Sequence, residues 1–131
     1  GLVQTRQQAA ELITQGLEGL PGLISPRAAV GDTHAYYILG MRLSDRLAPK
    51  RQAIADALRA EGVPGVLEGY QNIHRLPAYW DGAELPVAER LHEATFLGLY
   101  LCGWKYAKDD CELVVGAFRK VWSGMRIDTQ D

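Results

Sequence analysis

Three histidines, two cysteines and four lysines carry most of the chemistry open to this 131-residue chain. Their neighbours decide between reaction and packing. His74 stands beside Arg75, with Tyr70 and Tyr79 near it, in a stretch that also holds Gly69, Asn72, Pro77, Trp80 and Gly82. An imidazole in such a segment is a candidate for ligand binding or proton transfer, because loops carry function more often than cores do. His92 lies among Glu89, Arg90 and Glu93, the pattern of a solvated helix face. His34 sits at the entrance of an apolar run, where a structural hydrogen bond accounts for it. Cys102 precedes Gly103 and Cys111 falls in a helical stretch. Free cysteine mostly behaves as a small hydrophobe, so Cys111 reads as partly buried and inert, and a Cys102–His74 hydrolase is the third of three functional readings. Lys105, between Trp104 and Tyr106, would have a depressed pKa if buried, while snorkelling would leave it ordinary. Gly62, Gly65 and Gly69 suit turns but lack the following helix and lysine of a phosphate cradle. Trp80, Trp104 and Trp122 are too scattered for a nucleic-acid stacking surface. No self-contained active site emerges, and the unusual feature is the segment from Glu68 to Trp80.

Periodicity places that segment among regular elements. Ala9, Leu12, Ile13, Leu17 and Leu20 recur at helical spacing, which predicts a helix over residues 2–20, weakened by Gly16 and Gly19 and stopped by Pro21. Residues 21–32 read as a connection. Residues 33–43, through Tyr36, Ile38, Leu39 and Met41, read as a strand at a sheet centre or buried on both faces. A helix follows over 48–61, with Leu47, Ile54, Ala57 and Leu58 on one face and Gly62 as its left-handed C-cap. A short strand is expected within 63–67, then an irregular loop over 68–85. Pro86 opens a short helix over 86–94, and 95–101 reads as a third strand. The last helix spans 107–122. Asp109 and Asp110 cap its start, Arg119 and Lys120 complement its end, and Leu113, Val114, Ala117, Phe118 and Val121 form its buried stripe. Helices interleaved with three short strands predict an α+β fold, a two-layer domain with a three-stranded, mostly antiparallel sheet and helices packed on it.

Composition sets the outer bounds. Hydrophobic residues are 47% and charged residues 23%, the balance of an ordinary globular domain. Fourteen basic against sixteen acidic residues give a net charge of −2, which argues against nucleic acid and polybasic membrane surfaces as partners. No apolar run approaches the ~20 residues of a membrane span, and no secretory signal is visible. Two cysteines without disulfide or zinc spacing point to a reducing, cytoplasmic setting. A chain opening on Gly1 rather than Met reads as the product of a cut or a tag, and so as part of a larger protein.

Four segments, in order, carry a resemblance. His34-Ala35-Tyr36-Tyr37-Ile38-Leu39-Gly40-Met41-Arg42 is similar to the strand that opens the C-terminal small domain of the DegT/StrS family of pyridoxal-phosphate-dependent, fold-type-I sugar and cyclitol aminotransferases. Residues 52–63 resemble the family helix ending in a glycine, residues 69–79 its aromatic loop, and residues 85–91 the helix before its last strand. Arg6, Ala9, Leu17, Leu20 and Pro21 resemble the long connecting helix leading into that domain. Two positions depart. Gly69 stands where many sugar aminotransferases have histidine, and Leu97-Gly98-Leu99 replaces a Leu-Pro-Leu. The Gly-Tyr form resembles the cyclitol and aminohydroxybenzoate branch more than the main sugar branch.

The resemblance implies a connecting helix over 1–25 and the small domain over 26–131. It implies that Tyr70, Asn72, His74 and Arg75 lie near substrate. It also implies that the catalytic lysine and the pyridoxal phosphate site belong to an N-terminal large domain, a partner missing from this chain, in a parent that works as a homodimer. No catalytic, cofactor-binding or metal residue is assigned here, and no cofactor is expected in this chain. The parent would transfer an amino group from glutamate or glutamine to a keto sugar or keto cyclitol, and the chain alone would be inactive. The reading from a different class is a free-standing α+β module whose Glu68–Trp80 loop binds a ligand or protein.

Overall fold

Apolar periodicity, glycine placement and one buried aromatic pair account for the architecture of the computed structural model, which describes residues 1–128. The last three residues assigned to the small domain, 129–131, lie outside the described residues. In chain order the elements are α1 (Leu2–Leu17), β1 (Leu23–Ile24), β2 (Ile38–Leu43), α2 (Arg51–Ala60), β3 (Val66–Leu67), α3 (Pro86–Arg90), β4 (Phe96–Tyr100) and α4 (Lys108–Gly124). A 3₁₀ turn at Ala48–Lys50 leads into α2, and a π-helical turn at Leu91–Thr95 joins α3 to β4.

The sheet has four strands in the order β1-β2-β4-β3, all antiparallel. The α+β, helix-backed class expected from the sequence holds. The count of three strands is corrected by β1, a two-residue strand inside the expected connection, where Leu23 pairs with Leu43 and Ile24 with Arg42. So short a strand leaves no periodicity to read. β2 sits at the sheet centre but alternates, with Leu39, Met41 and Leu43 buried and Arg42 exposed, so one face is covered rather than two.

The strand also begins five residues later than expected. The Tyr36 amide donates to Nδ1 of His34 at 2.8 Å, and Tyr36 takes φ 46, a left-handed turn that keeps residues 33–36 out of the ladder, which the Tyr37 carbonyl first touches by accepting from the Leu101 amide at 3.3 Å. His34 is thus the structural histidine its position suggested.

One layer of helices covers the buried face. Ile13 and Leu17 of α1, Ile54 and Leu58 of α2, and Val114, Phe118 and Val121 of α4 form a single core with Leu39, Met41, Leu97 and Leu99. Trp122 is buried with them, its ring stacked on Phe118 at 5.8 Å and its Nε1 donating to the Pro21 carbonyl at 2.8 Å. Leu113 is not part of the α4 stripe: it is 72% exposed, and Cys111 takes the buried position instead. Gly16 is a packing residue rather than a weak point, since a Cβ there would run into Val115 of α4. Arg119 does not lie in the last turn of α4, which continues to Gly124. Its guanidinium instead donates to the Gly16 and Glu18 carbonyls, capping the C-terminal end of α1. Asp110 does cap α4, accepting from the Ala107 amide at 2.8 Å, and Gly62 takes φ 87 after α2 as a left-handed C-cap.

Candidate functional site

The other face of the sheet carries the site. Gly40 of β2 lies opposite Gly98 of β4, and the Phe96 ring folds over this glycine pair. A Cβ at Gly98 would meet Phe96 Cε1 at 2.8 Å, so glycine at 98 is what lets the ring lie flat on the strands. Phe96 is then one wall of a groove of about 460 Å³, within the size range of small-ligand sites. The opposite wall is the start of the long loop, Tyr70 to His74, and the third is α3 with its π turn, through Leu85, Ala88, Leu91 and His92.

A single carboxylate holds these walls together. Glu89 Oε1 meets His74 Nε2 at 3.1 Å and accepts from Arg75 Nε at 3.2 Å and the Leu85 amide at 3.3 Å. Its Oε2 pairs with Arg75 Nη2 at 2.8 Å. One side chain of α3 thus ties both ends of the segment 74–85. Asn72 Nδ2 adds a bond to the Ala88 carbonyl at 3.3 Å, and the Arg75 guanidinium lies 5.5 Å from the Trp80 ring centre. The Arg75 hydrogen bonds, followed by that from His74, hold the Glu89 carboxyl down at about 2.

The four residues expected near substrate therefore divide. Asn72, His74 and Arg75 spend their polar groups on α3. Tyr70 is 61% exposed at the groove, and its hydroxyl has no partner among the described residues. Glu89 escaped sequence reasoning because it lies 15 residues from His74 and looked like one more acid on a helix face. The clue was the adjacent cations His74 and Arg75, which need an anion when packed on a helix.

His92 is a correction. It is not a solvated helix residue: the ring lines the groove, and its Nδ1 is buried without a hydrogen-bond partner. The cause is the π turn, which adds a residue and rotates His92 inward. Arg51 of α2 fixes that turn, donating to the carbonyls of Leu91 at 3.4 Å, His92 at 2.9 Å and Glu93 at 2.8 Å.

Other candidates are accounted for. Exposed Cys102 accepts from Arg6 Nη1 at 2.9 Å while His74 is bound to Glu89, so the two form no nucleophile–base pair. Cys111 is buried, and burial followed by the nearby Asp110 pushes its thiol up and away from reactivity. Lys105 is exposed. A larger cavity of about 590 Å³ lies between α4 and the turn after α2. Its Asp110 is spent on capping, its Glu61 is paired with Lys120 at 2.7 Å, and burial pushes the Tyr106 phenol up to about 12. No convergent reactive set remains there.

Pyridoxal phosphate, the cofactor the sequence resemblance brought in, needs a lysine over its ring and a cradle for its phosphate. Neither lysine nor glycine-rich helix start lines the groove. Lys120 is paired with Glu61, and Lys108 sits 3.6 Å from Glu112 on the surface. The residues present do not fit the cofactor.

A one-sided antiparallel sheet with helices behind and a latched loop in front defines the class: a helix-backed, two-layer α+β domain. The chain belongs to the DegT/DnrJ/EryC1/StrS aminotransferase family, whose profile matches residues 1–118. No curated protein matches it. Among solved structures it is similar to the aminotransferase TlmJ from Streptoalloteichus hindustanus, with 32% identity and a TM-score of 0.77, covering 95% of this chain and 32% of that one. It is similar to DesV from S. venezuelae at 25% identity and a TM-score of 0.73, covering 95% and 32%. The fold is also shared with 3-amino-5-hydroxybenzoic acid synthase at 16% identity and a TM-score of 0.71, covering 94% and 35%. The chain thus spans about a third of the length of the solved structures it matches. Among the described residues no helix is long and apolar enough to cross a membrane.

Proposed function

We propose that this chain is the substrate-side, C-terminal domain of a cytoplasmic pyridoxal-phosphate-dependent aminotransferase that moves an amino group from glutamate or glutamine to a keto sugar or keto cyclitol. The observation that carries the reading is the family match over residues 1–118 in a chain with no lysine at its groove. In this reading residues 1–25 lead in from an N-terminal large domain, and residues 26–131 form the small domain. The large domain holds the cofactor, and the intact protein is a homodimer. Tyr70 faces the substrate. Asn72, His74 and Arg75 lie beside it, and through Ala88 and Glu89 they set the position of the loop that carries Tyr70.

The test is direct. The chain alone, incubated with pyridoxal phosphate, glutamate and a keto cyclitol, forms no amino product and retains no cofactor absorbance after dialysis. Joined to a large domain of the family as one polypeptide, it supports turnover. Turnover by the isolated chain, abolished by replacing one of its lysines, would overturn the reading.

A further inference from the structure

The cavity between α4 and the turn after α2 holds no reactive set, yet it is the larger of the two. Its volume of about 590 Å³ is in the range of small-ligand sites, and it shares no residue with the groove beside Phe96. Its apolar lining comes from Val63 and Pro64 of that turn, Trp104 and Tyr106 of the loop before α4, and Leu113 and Ala117 of α4.

Two glycines shape it. Gly65 takes φ 66 and leaves room for the Trp104 ring, since a Cβ there would meet Trp104 Cζ3 at 2.8 Å. That ring is half exposed and stands edge-on to Tyr100, with centroids 6.3 Å apart, so its place is set by a neighbour. Gly116 lies in the middle of α4, where glycine is the poorest helix former after proline. Packing does not demand it. A Cβ at 116 would meet no atom within 4 Å, whereas one at Gly16 would strike Val115. What the missing side chain leaves open is the cavity.

The polar groups around it call for no charged ligand. Glu61 is paired with Lys120, Glu112 lies 3.6 Å from Lys108, and Asp110 caps α4. Lys105 is exposed and has no partner among the described residues, but three acids line the cavity against two lysines, so the rim does not draw anions. The Tyr106 hydroxyl is sealed from solvent, which leaves its ring for contact. A docked helix is disfavoured as well. Asp110 and Lys120 bound the apolar strip of α4 at Leu113, Gly116 and Ala117, too short for anchors over two turns.

We propose that this cavity is a second binding site, for a flat, uncharged aromatic ring seated against Trp104 and over the bare helix surface at Gly116. The site stands apart from the aminotransferase reading and does not depend on it.

The experiment titrates the ¹⁵N-labelled chain with 2-naphthol, and with 2-naphthoate as the charged counterpart of similar shape. The expected result is a shift of the Trp104 indole N–H and of the Leu113 to Ala117 amides with 2-naphthol, with Tyr70 to His74 unmoved. 2-Naphthoate binds at least tenfold more weakly. Gly116→Leu fills the cavity from the helix and weakens 2-naphthol binding at least tenfold, while the urea midpoint holds or rises, because leucine is the better helix former. Trp104→Ala, read at the α4 amides, gives a similar loss without touching the helix. No shift at the cavity, or binding undiminished in both variants, would overturn the site. Tighter binding of 2-naphthoate, with the gain lost in Lys105→Gln, would overturn the uncharged class. The same titration is run on the chain joined to a large domain of the family. A Trp104 N–H signal moved by the joining and silent to 2-naphthol would make the cavity an interface between domains and refute the proposal.

Discussion

Phe118 and Glu89 are each the centre of one half of the molecule, and they hold their halves by different means. Phe118 is fully buried, stacked on Trp122 and surrounded by the apolar faces of α1, α4 and the sheet. Glu89 leaves 16% of its side chain exposed and works through four polar contacts to His74, Arg75 and the Leu85 amide. Around it Ile73, Tyr79, Leu85 and Val87 stay exposed. The helix–sheet half responds to volume and the loop half to charge. That separation lets the loop be loosened without touching the core.

Phe118→Ala should break the first half. Removing a fully buried phenyl ring costs about 3–5 kcal/mol, from lost transfer energy and the cavity beneath Trp122. Urea unfolding measures it, and a loss under about 1 kcal/mol would mean that the core is not centred on the Phe118–Trp122 stack. Glu89→Gln should act on the second half alone. Hydrogen exchange at the Leu85 amide rises about three- to tenfold, because a neutral amide is a poorer acceptor for these four contacts than a carboxylate. The urea midpoint stays where it was. A midpoint falling as far as that of Phe118→Ala would show the two halves to be one cooperative unit.

The same division governs what could be read from the residues alone. Helical spacing revealed α1, α2 and α4, and the helix-backed sheet followed, because burying one face imposes a period on the chain. Where the period failed, local chemistry had taken over. The His34–Tyr36 turn delayed β2, the two residues of β1 gave no pattern, and the π turn rotated His92 from the expected solvent face into the groove. The loop stood out by its composition, and the structure lines a groove with its first residues, Tyr70 to His74. Its anchor was not visible, since a bond between residues 74 and 89 leaves no trace in spacing. Leu97-Gly98-Leu99 looked like a mere departure from a family pattern, whereas the structure gives Gly98 a task under the Phe96 ring.

Acid gives the finest cut between the halves. In an opened loop Glu89 titrates near the ordinary 4.5, while in the latch Arg75 and then His74 hold it down to about 2. Between those values the open loop binds more protons than the closed one, so lowering the pH favours opening. The carboxylate's hold is therefore complete above about 4.5, declines through the interval, and is gone below about 2. Leu85 amide exchange and the Glu89 carboxyl ¹³C shift should report this descent while the ring signals of Phe118 and Trp122 remain unchanged at the start of it. A Glu89 carboxyl midpoint near 4.5 would mean that the Arg75 and His74 contacts do not persist in solution, and the loop would then have to be held by Asn72 and the apolar groove instead.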